Sequence, residues 1–468
     1  MVKEMKKTSL GLLPNDWDVD ILEHRLKIQT GSRNTEDKQE NGKYPFFVRS
    51  SKIEHIDTYH YDCEAILTAG DGVGTGKVFH YINGKFDAHQ RVYILTEFEG
   101  IKGKYFYYYF RENFLKEVSK YTAKSSVDSV RRDMIAKMAV PIPKIEEQVA
   151  IAEALSDVDS LISSLQKLIE KKKAIKQGAM QELLTGKKRL SGFNEEWEEL
   201  NFAESAKLKA RIGWQGLTTS EYLQSGFAYL ITGTDFHSGK IKWDTCHFVD
   251  EKRYKQDLNI QIKKHDILLT KDGTIGKVAY ISDIQKPTTL NSGVFVIRPA
   301  KENSFDPNFV YHVLNSFIFD NFLAKLSAGS TINHLYQKDF VGFTFKAPSE
   351  LVEQQAIAQV LSDIDSEIEK LEKKMAKYQQ IKQGMMQELL IGRIRLVDAD
   401  DKEQPKTQIL QEKQSQPAHN QHFDDAVMIA GIVNAFYSEK YPLGRKKVQK
   451  LLYLVRRKEQ ADISAFHK

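Results

Sequence analysis

The sequence contains few cysteines and no long apolar run. Its 468 residues include only Cys63 and Cys246, which excludes a disulfide-rich scaffold and a zinc site built from four cysteines. No apolar segment approaches the roughly 20 residues that cross a bilayer. The apolar part of the N-terminal segment is short and ends at Pro14, so a signal peptide is not expected. These absences favour a chain without a membrane anchor that works in the cytoplasm.

Motifs of the common catalytic sites are also absent or incomplete. The 13 histidines form no HExxH motif, and no Gly-x-Ser-x-Gly motif occurs. Residues 70–78 are rich in glycine but lack phosphate-loop spacing, because Asp71 takes the first glycine position and Val78 follows the lysine. Residues 306–309 (DPNF) are a distorted form of the Asp/Asn-Pro-Pro-aromatic motif of amino-methyltransferases, and a turn that begins a helix explains them better. We therefore expect no active site, no bound cofactor and no metal on this chain.

The composition is that of a folded protein with more than one domain. Hydrophobic residues make up 41% of the chain, enough to bury a core, and 468 residues are too many for one compact core. The 68 basic and 63 acidic residues leave a net charge of +5, which permits nucleic-acid binding without requiring it. Such mixed surfaces also suit a protein partner.

A long internal repeat organises the chain. Residues 146–190 align without a gap with residues 352–396, and more than half of the aligned positions are identical. The separation of the two copies is far too long for a solenoid. It indicates a duplicated unit of one globular domain followed by one helix.

Each copy of the repeat predicts a long helix with a heptad seam. Apolar residues recur at alternating steps of four and three, as in a coiled coil. Pro143 and Pro348 precede the helices, Ser349 is a candidate cap of the second, and Gly186 and Gly392 are stop signals. About 38 helical residues give a rod of roughly 57 Å. The predicted seam residues are Ile151, Leu155, Val158, Ile162 and Leu165 in the first helix, and Ile357, Leu361, Ile364, Ile368 and Leu371 in the second.

Two pairings of these helices are consistent with the pattern. One is dimerisation between two chains. The other is an antiparallel coiled coil within one chain, with pseudo-twofold symmetry and a globular domain at each end. Two copies in one chain, each following a globular segment, favour the intramolecular pair.

The two globular segments, 1–145 and 191–348, show the same order of elements. Residues 66–78 (ILTAGDGVGTGKV) and 267–278 (ILLTKDGTIGKV) each predict a β-hairpin with a tight Asp-Gly turn. A further strand pattern and an aromatic helical pattern follow in both, the helices over 105–114 and 309–322. The predicted fold class is α+β: two mixed α/β domains joined by helical spacers at 146–190 and 349–397. Residues 398–422 are a polar linker and 423–468 a small helical C-terminal extension.

The combination of motifs resembles the specificity subunits of type I restriction-modification systems. The residues that carry the resemblance are 141–159 (PIPKIEEQVAIAEALSDVD) with its second copy at 353–365, and the helix ends at 176–184 and 382–390. It covers roughly residues 1–396. The resemblance implies a chain without catalysis of its own, in which each domain recognises one half of a bipartite site in double-stranded DNA and the helices fix the gap.

The resemblance also implies partners and cofactors. The chain would recruit two methyltransferase subunits, which bind S-adenosylmethionine and methylate adenine, and two restriction subunits that act as motor and nuclease. S-adenosylmethionine, ATP and Mg would then all be bound by the partner subunits. The alternative class is a coiled-coil scaffold that binds no particular DNA sequence. A single-chain restriction-methylase is disfavoured by the missing catalytic motifs.

Candidate DNA contacts fall on three kinds of segment. The lysines of the hairpins suit phosphates, and the polar stretches before each rod offer donors for bases, although a solvated loop with a helix cap explains them equally well. Early in the second domain, Trp214 and an arginine are further candidates, for which core packing and ordinary surface charge are the simpler explanation. The predicted DNA-binding residues are Lys77, Lys124, Ser125, Ser126, Arg131, Arg132, Arg211, Lys271, Lys277, Ser330, Asn333 and His334.

Overall fold

The computed structural model describes residues 4–121, 129–213, 216–327 and 334–397, all within one compact unit, Met1–Asp398. The predicted linker at 398–422 and the predicted helical extension at 423–468 lie outside the described residues. Within these ranges, each half of the chain folds into a mixed α/β domain followed by one long helix. This is the order that the repeat predicts.

The first domain is built around a six-stranded sheet of order β4-β9-β7-β8-β5-β6, in which only the β5–β8 pair is parallel. A hairpin, β1–β2, and a two-stranded pair, β3–β10, complete it. Its elements are β1 Met5–Thr8, β2 Gly11–Pro14, β3 Asp18–Ile21, β4 Lys27–Thr30, β5 Tyr44–Phe47, β6 Glu54–Ile56, β7 Tyr61–Ala69, β8 Phe79–Ala88, β9 Val92–Thr96, α1 Gly103–Ser119, α2 Arg132–Ala136 and β10 Ala139–Ile142.

The first long helix and the second domain follow. The second domain contains a four-stranded antiparallel sheet of order β12-β20-β17-β18 and a three-stranded sheet of order β16-β13-β19. The elements are α3 Ile145–Leu183, β11 Trp197–Asn201, α4 Phe202–Ser205, β12 Ala206–Lys209, β13 Ala228–Ile231, β14 Phe236–His237, β15 Lys240–Ile241, β16 His247–Val249, α5 Glu251–Lys255, β17 Ile267–Thr270, β18 Val278–Tyr280, β19 Thr288–Leu290, β20 Val294–Pro299, α6 Pro307–Leu314, α7 Phe317–Ser327, α8 Gln337–Phe340, β21 Thr344–Pro348 and α9 Leu351–Leu389.

The two domains share a common centre and differ around it. The order β4-β9-β7-β8 in the first corresponds to β12-β20-β17-β18 in the second. The predicted hairpins are confirmed as the antiparallel pairs β7–β8 and β17–β18. In both domains an early strand also pairs with the last strand before the long helix, as β3–β10 and β11–β21. The three-stranded sheet occurs among the described residues of the second domain alone.

The predicted domain helices are confirmed with one correction. The pattern at 105–114 lies within α1, but the pattern at 309–322 is interrupted, so α6 ends at Leu314 and α7 begins at Phe317. Asn315 and Ser316 separate them, and the Ser316 hydroxyl donates to the carbonyl of Val313 and accepts from the amide of Ile318. These short polar side chains compete with the helical backbone hydrogen bonds. Asp306 caps α6 and Pro307 follows at its first position, so the DPNF segment begins a helix.

The two long helices contain 39 residues each. Gly186 and Gly392 have φ of +69° and +68° just after the helix ends, which confirms them as stop signals. The predicted cap Ser349 is wrong. Glu350 occupies the N-cap position without a side-chain hydrogen bond, and the helix begins at Leu351.

The long helices pack against each other in antiparallel directions. Asp159 of α3 pairs with Lys382 of α9 at 2.6 Å, and further along α3 Lys176 pairs with Asp365 at 2.6 Å. As the residue number rises on α3, the partner's number falls on α9. The contacts lie within one chain, as the intramolecular arrangement requires.

The predicted seam residues are all removed wholly or partly from solvent. The first two in each helix join the core of the domain that precedes that helix, so they serve the domain as well as the helix pair. The seam residues in the middle of each helix belong to neither domain core. Buried are Ile151, Leu155, Leu165, Ile357, Leu361 and Ile368, and partly buried are Val158, Ile162, Ile364 and Leu371.

Candidate nucleic-acid interface

In the first domain, the predicted hairpin loop and the predicted segment before α2 meet. The loop between β7 and β8 begins at Gly70, whose carbonyl accepts a hydrogen bond from the Val130 amide at 2.7 Å. Asp71 forms an antiparallel bridge with Ser129, and the Tyr93 hydroxyl donates to the Val130 carbonyl at 3.2 Å. Two segments that are about 60 residues apart in sequence therefore form one surface.

This surface carries a group of cations around one carboxylate. Arg49 donates from Nη1 to Asp71 Oδ1 at 2.8 Å, and Arg91 donates from Nη1 to the other oxygen. Partial burial raises the pKa of Asp71, but the hydrogen bonds from both arginines outweigh it and hold the pKa below its ordinary value. The predicted contacts Lys77, Arg131 and Arg132 lie exposed on the same segments.

The second domain brings the corresponding segments together with different side chains. The Leu335 amide donates to the Lys271 carbonyl at 2.9 Å, and Asp272 forms an antiparallel bridge with His334. The His334 Nδ1 also contacts the Asp272 carboxylate. Lys277 is exposed at the end of the hairpin loop, whereas Lys271 is partly covered and lies over the Phe295 ring.

The remaining predicted contacts divide into two groups. Trp214 and the candidates Lys124, Ser125, Ser126, Ser330 and Asn333 lie outside the described residues. Arg211 is a correction: its side chain is only 2% exposed, and its Nε and Nη2 donate to the Leu290 carbonyl and the Thr289 hydroxyl. It stabilises the interior of the second domain and is not available to DNA.

Sequence reasoning missed Arg49 and Arg91. Neither residue belongs to a motif, and they are brought to Asp71 only because the strands β5, β7 and β9 share a sheet. The exposed positions of Arg131 and Arg132 at the start of α2 agree with the sequence prediction, but exposure alone does not assign them a role.

Each domain is fixed to the helix pair by a buried carboxylate. Glu147, at the start of α3, accepts two hydrogen bonds from Arg395 at 2.5 and 2.6 Å and one from the Trp17 indole at 3.0 Å. Glu353, at the start of α9, accepts two from Arg189 at 2.6 Å each. Both carboxylates are almost fully buried. The arginines follow the ends of the opposite helices, so each junction joins one domain to both helices.

The two junctions differ at their tryptophans. Trp17 and Trp197 each stack against the local arginine, with centroid distances of 5.6 and 5.8 Å. The Trp17 indole donates to Glu147, whereas the buried Trp197 Nε1 has no hydrogen-bond partner among the described residues. Arg395 also pairs with Asp16, and these hydrogen bonds raise its pKa.

A second repeated contact orients the domain helices on the long helices. The side chain of Gln148 accepts from the Lys102 amide at 2.7 Å, just before α1, and Gln354 accepts from the Asp306 amide at 2.8 Å, just before α6. Tyr108 then contacts Ser156, and His312 contacts Ser362. Burial lowers the pKa of His312 to about 3, so this histidine is neutral at physiological pH and serves packing.

A cleft of about 340 Å³ lies between the first domain and α3, and in the second domain a turn contacts the corresponding elements β18 and α9. The turn between β14 and β15 lies there, with the Gly239 carbonyl accepting from the Tyr280 amide and Lys240 paired with Glu369 of α9. The second domain thus has an additional attachment to its helix. The open cleft is lined by Phe79, His80, Tyr81, Lys104, Tyr107, Tyr108, Ser156, Asp159 and Ser160.

Among the described residues, no group of three or more His, Cys, Asp or Glu side chains is placed to hold a metal ion. No helix in the described ranges is long and apolar enough to cross a membrane.

Comparisons with known proteins agree with this architecture. The family model described as type I restriction modification DNA specificity domain matches twice, at residues 14–177 and 194–383, and so covers most of the chain. The two matches coincide with the two domain-plus-helix units.

Individual relatives carry the same description. The chain is 27% identical over 414 residues to the type I restriction enzyme MjaVIII specificity subunit of Methanocaldococcus jannaschii, covering 82% of this chain and 94% of the relative. It is 30% identical over 177 residues to the EcoDI specificity subunit of Escherichia coli, covering 38% and 39%. The crystal structure of a type I restriction-modification S subunit from M. genitalium matches with a TM-score of 0.59 at 17% identity, covering 83% of this chain and 99% of that one, which shows a shared fold.

Proposed function

This chain belongs to the type I restriction-modification DNA specificity family, and from that premise we propose that it reads a bipartite DNA site, one half with each mixed α/β domain. One observation carries the proposal. In each domain the hairpin loop is hydrogen-bonded to the segment before a short helix, at Gly70 and Val130 in the first and at Lys271 and Leu335 in the second. The two surfaces are equivalent in position but differ in side chains, as two readers of different sequences should.

In this proposal the two long helices are the ruler that sets the unread gap. They form an intramolecular antiparallel coiled coil with pseudo-twofold symmetry, which the matching ion pairs Asp159–Lys382 and Asp365–Lys176 support. A helix of 39 residues spans about 58 Å. That length exceeds the roughly 34–36 Å that separates major-groove sites on one face of the duplex, so the two domains can reach successive sites.

The chain supplies recognition, and its partners supply the chemistry. We propose that it binds double-stranded DNA and recruits two methyltransferase subunits, which use S-adenosylmethionine to methylate adenine. Two restriction subunits join to translocate and cleave, with ATP and Mg. A methyltransferase must flip its adenine out of the stack, and a subunit that grips the duplex on both sides of the gap supports that step. Assembly and reaction take place in the cytoplasm.

The experiment that tests the function is adenine-methylation mapping by long-read sequencing, in the host with and without this gene. We expect deletion to abolish methylation at one split motif, with two short halves around a fixed gap. If methylation is unchanged although the chain is expressed beside an intact methyltransferase subunit, the chain is a helical scaffold and the proposal is wrong.

The ruler has a separate test. A seven-residue heptad is inserted after Leu165, and a matching heptad is inserted at the same level of α9, so that the seam is preserved. The motif should keep both halves and change the length of its gap. Retained activity with unchanged spacing would contradict the ruler.

Modularity is tested by domain exchange. Replacing residues 1–145 with the equivalent segment of a related specificity subunit should change one half of the methylated motif and leave the other. A change in both halves would show that the domains do not read independently.

A further inference from the structure

We infer that Arg49 and Arg91 read guanine in the half-site bound by the first domain, and that Asp71 positions both guanidinium groups for that readout. The inference rests on the proposed function, since it assigns a base preference to one of the two reading surfaces. It distinguishes the first domain from the second.

Both arginines keep N–H donors that are free to bind a base. A guanidinium has five N–H donors in a planar fork. Among the described residues, Asp71 takes one donor from Arg49 and one from Arg91. Both side chains remain open to solvent, at 44% and 62% exposure. An arginine with two free parallel donors matches the O6 and N7 acceptors of guanine in the major groove, and this is the commonest specific contact between proteins and DNA.

The backbone around Asp71 holds Arg91 in place. The Gly70 amide donates to the Arg91 carbonyl at 2.8 Å, and the Gly70 carbonyl accepts from Val130 at 2.7 Å. The Arg91 amide donates to the His89 ring nitrogen at 3.0 Å. Three segments of the chain are thus bonded directly at this point. A long side chain that is anchored before binding loses less conformational entropy when the base arrives.

The charge balance suits nucleic acid. The segments 47–50, 70–78, 89–93 and 129–132 contain one carboxylate, Asp71, whose ionised form the arginines stabilise. Three further cations on these segments, Lys77, Arg131 and Arg132, are exposed. They are suited to the phosphates on either side of a base contact. An acidic protein surface would also match the charge, because carboxylates accept paired hydrogen bonds from arginine, and membership of a DNA specificity family favours DNA as the partner.

The second domain lacks this arrangement. The equivalent carboxylate, Asp272, contacts His334, and no arginine is bonded to it among the described residues. A guanine preference that depends on the first domain's arginines should therefore be confined to one half of the motif.

The test uses the full chain in complex with its methyltransferase subunits and a library of DNA duplexes with a randomised window. Bound duplexes are sequenced for the wild type, R49Q, R91Q, D71N and R393Q. Arg393 is the matched control, because it is 61% exposed and pairs with Glu388 at the end of α9. The half read by the first domain is identified by exchange of residues 1–145.

We expect R49Q and R91Q each to reduce the preference for guanine at one position of that half by about tenfold to a hundredfold. The other half and R393Q should stay as in the wild type. D71N should weaken the same guanine preference with both arginines present, which a purely structural role would not do. If R91Q does not fold, R91K replaces it, and it should lose discrimination while keeping affinity for DNA in general.

Two results would overturn the inference while leaving the proposed function intact. One is a wild-type split motif without guanine in the half read by the first domain. The other is equal weakening of all sequences by R49Q and R91Q, with the salt dependence reduced by about one counterion each, which marks phosphate contacts. A wild-type complex that enriches no split motif would instead refute the proposed function itself.

Discussion

At the starts of the long helices, Glu147 and Glu353 are each buried against an arginine that follows the opposite helix. At the hairpin loops, by contrast, Asp71 lies between two arginines and Asp272 against a histidine. The two halves therefore repeat the contacts that mount a domain on the helices and differ in the surface that the domain presents. The comparison indicates that attachment of a domain to the helices and recognition of DNA depend on different residues within one duplicated unit.

The largest expected effect concerns the buried contacts of Glu147 and Glu353, which attach the domains to the helices. Replacing Glu147 with Ala removes two hydrogen bonds from Arg395, whose side chain is 16% exposed, and the acceptor of the Trp17 indole. Asp16 still pairs with the arginine, so we expect unfolding to become easier by about 3 kcal/mol. Glu353→Ala should cost less, because Arg189 is more exposed and no indole hydrogen bond is lost. Urea unfolding of the full chain measures both.

A control separates these losses from ordinary surface changes. Glu388→Ala removes an exposed pair with Arg393 at 3.4 Å and should cost at most about 1 kcal/mol. Equal losses for Glu147→Ala and Glu353→Ala would contradict the larger contribution expected of the first junction.

A smaller difference is expected between the two tryptophans. Trp17→Phe removes a hydrogen bond to a buried carboxylate, whereas Trp197→Phe removes a buried N–H that has no partner among the described residues. Trp17 is fully buried and Trp197 only partly buried, so the loss of ring packing and the loss of the hydrogen bond both make Trp17→Phe the more harmful variant. Trp17→Phe should be more destabilising by about 1–3 kcal/mol, as measured by urea unfolding. If Trp197→Phe proves the more harmful, its indole has a partner in solution.

The smallest effect concerns the hairpin loops and depends on pH. The pKa of Asp71 lies below its ordinary value of 3.8 in the folded chain, so its contribution to stability is full above that value and is lost as the pH falls through the lowered pKa. Asp71→Asn should cost roughly 1 kcal/mol at pH 7, since the arginines are exposed. The cost should shrink as the pH falls below 3.8 and through the lowered pKa. Thermal unfolding of the wild type and the variant across this range measures it.

The matched control for this prediction is Asp133→Asn. Asp133 is 71% exposed and pairs with Lys137 at 3.7 Å, so its removal should change stability little at any pH. A cost of Asp71→Asn that persists unchanged into strong acid would mean that the carboxylate acts through its shape and not through its charge.

Local patterns in the sequence were enough to predict the two long helices, the two hairpins and the aromatic helix of the first domain. Heptad spacing identified residues such as Leu155 and Leu361, glycines marked the helix ends, and Asp-Gly turns marked the hairpins, because each depends on neighbours within a few residues. The break between α6 and α7 was missed, since Asn315 and Ser316 are compatible with a helix until their side chains find backbone partners.

The candidate interface was harder to predict because it depends on distant contacts. The hairpin loop and the segment before α2 were identified separately, but their meeting at Gly70 and Val130 follows from sheet pairing. Arg49 and Arg91 have no local signal. Arg211 was misassigned because an arginine is usually exposed, and nothing nearby in the sequence shows that Thr289 and Leu290 take up its donors.

The end of α9 has a consequence for how the chain is made. Met386, Leu389 and Leu390 belong to the core of the first domain, and Arg395 completes its junction at Glu147. The first domain therefore cannot finish folding when its own strands leave the ribosome. At about 5–20 residues per second, the roughly 250 residues that separate it from its last core contributors take about 13–50 seconds to synthesise. During that interval the core of a nascent first domain lacks these three side chains, and the apolar surface that they cover stays open to solvent.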